Sequence, residues 1–345
     1  MKKPLRILAV KLRAIGDTVI WTSSLRSLRE AFPDAEIHAL TFSANEAVLR
    51  GNPDIDKAHF IDTWSRWEMI FKFLELRRER FDLMLVFHSY AAISRWRWFV
   101  RASKKAIYHY GRKATPFGCV PIPDAGVLED AISRDLRVLK AIGLEPTRHQ
   151  TKILLDKDES KHAEEVMAAE IIRCCGDSSK PRYIFLPGAS HRLRRYPKER
   201  LLPLAAEVLA HGRYQPVILA DDSLSQECNL SEECRSIGVP LLSGGSLREF
   251  IAFVSRGERA VANDSGPAHI AVALGLRTVF LFGPGSAGEW HPYDRKRHPL
   301  KRLAVPCRTG GPQDNEMFRT CGFSDCTHQK CMRELEVTLN DLLEC

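Results

Sequence analysis

Two aspartates in this 345-residue chain stand where apolar strands give way to helices. In KLRAIGDTVI, residues 11–20, Gly16–Asp17 separates the run LRILAV from the amphipathic pattern TVIWTSSLRSLREAF. In RAVANDSGPAHIAVALGLRTVFLFGPG, residues 259–285, a strand ends at Asn263–Asp264 and a Ser-Gly turn opens a helix. A carboxylate at such a junction either caps the helix or faces a ligand as a proton acceptor. For Asp17 nothing local separates the two.

The second junction also has the makings of an anion site. Pro267 suits the first helical position and Gly275 the helix end. The turn would then aim the N–H groups of Ser265, Gly266, Ala268 and His269 at a ligand, with the helix dipole adding partial positive charge. An ordinary strand-to-helix loop is the plainer reading. A second basic feature lies in PGASHRLRRYPKERL, residues 187–201, where Arg192, Arg194, Arg195 and Lys198 crowd before a helix. Arginines there suit bidentate contact with a diphosphate, although a solvated basic loop has the same composition. Two anion features in one half of the chain favour a phosphorylated ligand. GPGSAG, residues 283–288, formally matches G-x-G-x-x-G, but EWHPYDRKRHP does not continue it as a long helix. A dinucleotide oxidoreductase is therefore not expected, and glycines such as Gly283 read as places where backbone approaches a ligand closely.

Two further clusters bear chemistry. Cys307, Cys321, Cys326 and Cys331 gather near His328, but the C-x4-C-x4-C spacing differs from the usual paired zinc ligands, and packed free thiols are the expected state. SRWRWFVRASKK, residues 94–105, interleaves Trp96, Trp98 and Phe99 with Arg95, Arg97, Arg101, Lys104 and Lys105. That mixture fits a membrane surface, an anionic glycolipid or single-stranded nucleic acid, or the outer face of a half-buried helix. No nucleic-acid-binding motif accompanies it, so nucleic acid is not an expected partner.

These residues need a scaffold, and the pattern supplies one. Strand-like and helix-like segments alternate through both halves, which implies α/β folding with parallel strands and crossover helices. The stretch at 156–181, a charged helix ending in a polar Gly/Ser/Pro run, suits a linker between two similar doubly wound domains. Ligands of such sheets bind at the carboxyl ends of the strands. Hydrophobic residues make up 44% and charged residues 27%, which excludes a disordered chain. The net charge of +8 attracts anions without selecting one. No apolar run approaches the roughly 18 residues that a membrane span needs. The start, MKKPLRILAVKLR, has too short an apolar core for a signal peptide, so a cytoplasmic location is expected.

The segments KLRAIGDTVIWTSSLRSLREAFPDAEI, RRYPKERLLPLA, NDSGPAHIAVALGLRTVFLFGP and the late HQKCM resemble, in the same order, the ADP-heptose:lipopolysaccharide heptosyltransferases of glycosyltransferase family 9. The resemblance implies a GT-B architecture, two Rossmann-like domains facing a central cleft. Residues 1–165 would bind acceptor and 180–330 the nucleotide-sugar donor, with a C-terminal helix in 331–345 packing back on the first domain. It implies inverting transfer of heptose from ADP-heptose to the lipopolysaccharide inner core, with no cofactor and no metal, in peripheral contact with the inner membrane. Asp17 matches the family's proposed general base. Gly16 would form a sharp turn beside it, and Lys11 and Arg13 would meet acceptor phosphates. Arg194 stands where the family usually has a donor-phosphate lysine, beside Arg195, and Asp264, Ser265, Gly266, Pro267 and His269 form the donor loop. The family's Lys-x-Trp-Pro is Arg194-Arg195-Tyr196-Pro197 here, and SSLRSL replaces a more usual Thr-Pro. Another nucleotide-sugar donor or acceptor, a nucleotide-sugar epimerase and an inactive glycan-binding module remain as alternatives.

Overall fold

The apolar run before Asp17 folds as strand β1 (Arg6–Lys11), buried from Ile7 onward. It lies between β2 (Glu36–Phe42) and β4 (Phe81–Ser89), with β3 (Lys57–Ile61) and β5 (Ala102–His109) at the edges, in the order β3-β2-β1-β4-β5. Every pairing is parallel, as expected of strands covered by helices on both faces. The computed structural model describes residues 4–89, 97–109, 115–123, 125–175, 177–243, 245–309, 317, 319–321 and 326–344. Arg95 and Trp96 lie outside the described residues.

The chain divides into two compact units, Met1–Leu154 and Leu155–Cys345. In the second unit β6 (Arg182–Leu186), β7 (Gln215–Ala220), β8 (Leu241–Ser243), β9 (Arg259–Asn263), β10 (Arg277–Phe282) and β11 (Leu300–Arg302) form a parallel sheet in the order β11-β10-β9-β6-β7-β8. Both orders reverse direction at one place, between β1 and β4 in the first sheet and between β6 and β9 in the second. Connections diverge to opposite sides there and leave a crevice at the strand carboxyl ends.

The helix Ile15–Ala31 carries an unusual buried row of small hydroxyl residues. Thr22 Oγ1 accepts from Lys152 N at 3.0 Å, Ser23 Oγ donates to His149 O at 2.7 Å, and Ser27 Oγ donates to Thr147 O. The SSLRSL departure thus provides a seat for the chain at 147–152.

Residues 156–181 are not a free linker. Lys157–Cys175 is a helix of the second unit, buried through Met167 and Ile171 and tied by Arg248, whose Nε and Nη2 donate to the two Glu159 oxygens at 2.6 and 2.7 Å. The expected boundary near 165 therefore moves to Leu154–Leu155. Residues 331–344 also belong to the second unit, correcting the expectation that they return to the first domain. Met332, Leu335 and Leu342 enter its core, Tyr196 Oη donates to Leu335 O at 3.1 Å, and Tyr183 Oη donates to Leu342 O at 3.3 Å.

Candidate functional site

In the first unit the turn after β1 is held from β2 and the turn that follows it. Thr41 Oγ1 donates to Lys11 O at 2.8 Å, and Asn45 Nδ2 donates to Arg13 O at 2.9 Å. The helix then starts at Ala14, whose side chain cannot cap it, and Asp17 falls within the first turn. Asp17 is 7% exposed, and its Oδ1 lies 3.5 Å from Arg13 Nε with no hydrogen-bond partner among the described residues. Asp17 is therefore not spent on capping. Its Oδ1 is left available as an acceptor toward a ligand.

The sequence reading named Lys11 and Arg13 beside it but missed His88. A register shift between Val10 and Lys11 sets Lys11 opposite the buried His88 of β4. Burial drives the His88 imidazole down to about 2, and Arg134, Arg13 and Lys11 act in the same direction, so this histidine is neutral at ordinary pH. Lys11 is not open to a ligand phosphate. It is fully buried in an ion pair with Asp135, burial lowering the lysine and raising the aspartate. This corrects its assignment as an acceptor contact. Gly16 forms no sharp turn either, being the second helical residue with ordinary helical backbone.

The second unit brings its two basic and acidic loops together at the β6–β9 switch point. Asn263 joins them: its Oδ1 accepts from Tyr196 N at 2.9 Å and its Nδ2 donates to Pro187 O at 2.7 Å. Ser265 Oγ donates to Gly188 O at 2.9 Å. Arg194, at the end of a short 3-10 turn, places Nη1 3.6 Å from Asp264 Oδ2. Asp264 is 2% exposed, and burial pushes its carboxyl up to about 6, opposed first by Arg194 and then by Arg302. A Cβ on Gly285 would fall on Asp264 Oδ2, so the glycine there makes room for the carboxylate.

The helix Gly266–Ala273 begins beside this pair with Ser265 as N-cap and Pro267 in its second position, one later than expected. Ala268 N donates to Ser265 O at 3.1 Å, which removes it from the expected set of ligand-facing amides. Gly275, with φ at +92°, ends the helix as expected. His269 Nδ1 lies 2.8 Å from Tyr293 Oη in a packed group with Phe280 and His291. Burial lowers His269 to about 3, with His291 and Arg194 adding to the effect, so His269 acts as a neutral buttress.

Residues 72–309 match the family described as glycosyltransferase family 9 (heptosyltransferase). The chain belongs to this family. It is similar to lipopolysaccharide heptosyltransferase 3 of Escherichia coli, at 22% identity over 299 residues, covering 82% of this chain and 84% of that protein. Among solved structures it resembles a family 9 glycosyltransferase from Veillonella parvula DSM 2008, with TM-score 0.74, 21% identity and coverage of 91% and 90%. It also resembles E. coli ADP-heptose lps heptosyltransferase II, with TM-score 0.71, 20% identity and coverage of 87% and 91%. These likenesses show the fold, the GT-B class expected from the sequence.

In this family 9 chain, two other expected donor contacts are engaged elsewhere. Arg195 Nη1 pairs with Glu227 at 2.7 Å and its Nε donates to Ala189 O at 3.1 Å, which fastens the 187–196 loop to its own unit. Gly283 faces Met332, where a Cβ would overlap the thioether, and its carbonyl accepts from Arg308 at 2.7 Å. Its small size serves packing. Cys307, Cys321, Cys326 and Cys331 line one small pocket with Arg308 and Lys330, while His328 is exposed. Among the described residues, no three His, Cys, Asp or Glu side chains are placed to hold a metal ion. Also among the described residues, no helix is long and apolar enough to cross a membrane.

Proposed function

We propose that this glycosyltransferase moves a heptose from ADP-heptose to the inner core of lipopolysaccharide, inverting the anomeric centre. The observation that carries this reading is the convergence of Arg194, Asp264 and the Gly266–Ala273 helix N-terminus at one switch point, in a family 9 chain. The likeness to E. coli ADP-heptose lps heptosyltransferase II supports the choice of donor.

In this scheme the acceptor hydroxyl oxygen attacks the anomeric carbon. The bond from that carbon to the donor phosphate oxygen breaks, and ADP leaves with the electron pair. Asp17 takes the hydroxyl proton. Arg194 and the amides that open the Gly266–Ala273 helix meet the charge that grows on the departing diphosphate, and Asp264 orients the sugar hydroxyls. Because the acceptor is a lipid-anchored glycan, the enzyme works in peripheral contact with the membrane that carries it.

The test is ADP release from ADP-heptose in the presence of lipopolysaccharide acceptors truncated at successive sugars. Release is expected with one truncation and not with donor alone. Release from donor alone, or equal silence with every acceptor, overturns the reading.

A further inference from the structure

Among the described residues, the exposed aromatic side chains cluster on one part of the first unit. Trp64, Trp67, Phe71, Trp98 and Phe117 are all of them, with the apolar Leu74 beside them. The helix Arg66–Arg77 explains the cluster. Its inner face buries Met69, Phe73 and Leu76 against β-sheet residues such as Val86 and Ile107. Its outer face repeats the same spacing with Trp67, Phe71 and Leu74, where Trp67 is 69% and Phe71 66% exposed. A helix that is apolar on two faces in a water-facing position wants a second apolar medium.

The 97–101 turn continues that face. Arg77 reaches Trp98 O and Phe99 O at 3.5 Å, Arg97 lies over the Trp98 ring at 4.5 Å, and Arg97 donates to Phe117 O at 3.3 Å. Over 62–78 and 97–105 the chain carries eight cations (Arg66, Lys72, Arg77, Arg78, Arg97, Arg101, Lys104, Lys105) against three carboxylates (Asp62, Glu68, Glu75). Two of those carboxylates are engaged locally: Glu68 accepts from the Asp62 and Thr63 amides, and Glu75 pairs with Lys72.

We infer that this face docks the protein onto an anionic lipid bilayer. Trp67, Phe71 and Leu74 enter the headgroup–acyl boundary, and the exposed Arg66, Arg78, Arg101 and Lys104 meet lipid phosphates. Charge complementarity selects this occupant over a second copy of the chain, because two such faces would bring their cations together. The inference gives the proposed lipid-anchored acceptor a physical platform and so rests on that reading for its purpose, but the binding is measured without donor or acceptor.

The experiment is co-sedimentation of the full chain with vesicles of phosphatidylethanolamine and phosphatidylglycerol, and with phosphatidylcholine vesicles, at low and high salt. Binding to the anionic vesicles is expected, weakened by salt, with a blue shift in tryptophan emission. The double variant Trp67→Glu/Phe71→Glu should bind at least about tenfold more weakly. Its helix keeps the inner face, so its melting curve should match wild type. Arg66→Gln/Arg78→Gln should lose about fivefold per charge on anionic vesicles and nothing on neutral ones. Absence of wild-type binding, or equal binding by both variants, overturns the inference. So does self-association without vesicles that Trp67→Glu/Phe71→Glu abolishes, which would make the face a contact between copies. ADP release with a delipidated soluble acceptor should be the same in all three proteins. If it is absent in all while vesicle binding behaves as described, the functional reading fails and the docking face stands.

Discussion

The two switch points of this chain use the same parts in different ways. Each has a buried strand, a buried aspartate and an arginine, at 3.5 Å for Asp17–Arg13 and 3.6 Å for Asp264–Arg194. In the first unit the aspartate lies inside the helix's first turn, among Arg13, the neutral His88 and the sealed Lys11–Asp135 pair. In the second it stands ahead of the helix, pressed against Gly285, with Glu289 disfavouring its charge. The first carboxylate thus keeps an oxygen beside Arg13 with no hydrogen-bond partner among the described residues. The second is a buried acid near neutrality, suited to hydrogen bonding with a sugar. Burial, opposed by Arg194, makes Asp264 an acid of this kind.

The largest effect that would sharpen this contrast is expected from Asp17→Asn. Turnover should fall by about 10²–10⁴, with ADP binding nearly unchanged by calorimetric titration. Turnover close to wild type would remove the base from the first site and with it the distinction.

Next comes Lys11→Met. Because it strands a buried Asp135, it should destabilise the protein by about 3–5 kcal/mol in denaturant melts, whereas Lys11→Met/Asp135→Leu should recover most of that loss. A Lys11→Met protein of normal stability but raised acceptor KM would return the lysine to the acceptor-binding role.

The smallest expected effect concerns Asp264→Asn. The folded state holds the Asp264 proton more tightly than the unfolded chain, whose carboxyl titrates near 3.8. That contribution is complete below about pH 4 and is lost as pH rises through about 6. The Asn variant has no such loss, so at pH 7.5 it should exceed wild type in stability by about 1–3 kcal/mol, the gap closing toward pH 4. Melting temperatures measured across that range decide the matter, and a gap that does not vary with pH would refute the burial account.

Much of the scaffold was legible because strand and helix patterns are local. LRILAV, YIFL and RTVFLF announce buried parallel strands, and Gly275 announces a helix end. Arg194 and the Asp264 loop were given to one donor site through the resemblance, but the contact between their side chains was not. The surroundings of Asp17 were less accessible. Lys11 reads as a ligand-facing cation until Asp135, 124 residues away, folds over it. His88 carried no signal at all, because its place opposite Lys11 depends on a register shift between β1 and β4. The exposed aromatic stripe of the Arg66–Arg77 helix was not legible, since periodicity alone does not reveal which of two apolar faces is covered.

By itself, then, the amino-acid order determined the element types, the two-unit α/β organisation and the presence of paired acids and arginines at strand ends. These depend on backbone preference and hydrophobic period, which act over a few residues. Tertiary structure alone decided which charges are sealed, which carboxylate is held as an acid, and which aromatic face meets solvent. Burial and charge pairing join residues far apart in sequence, and desolvation is set by everything that closes over a group rather than by the group itself.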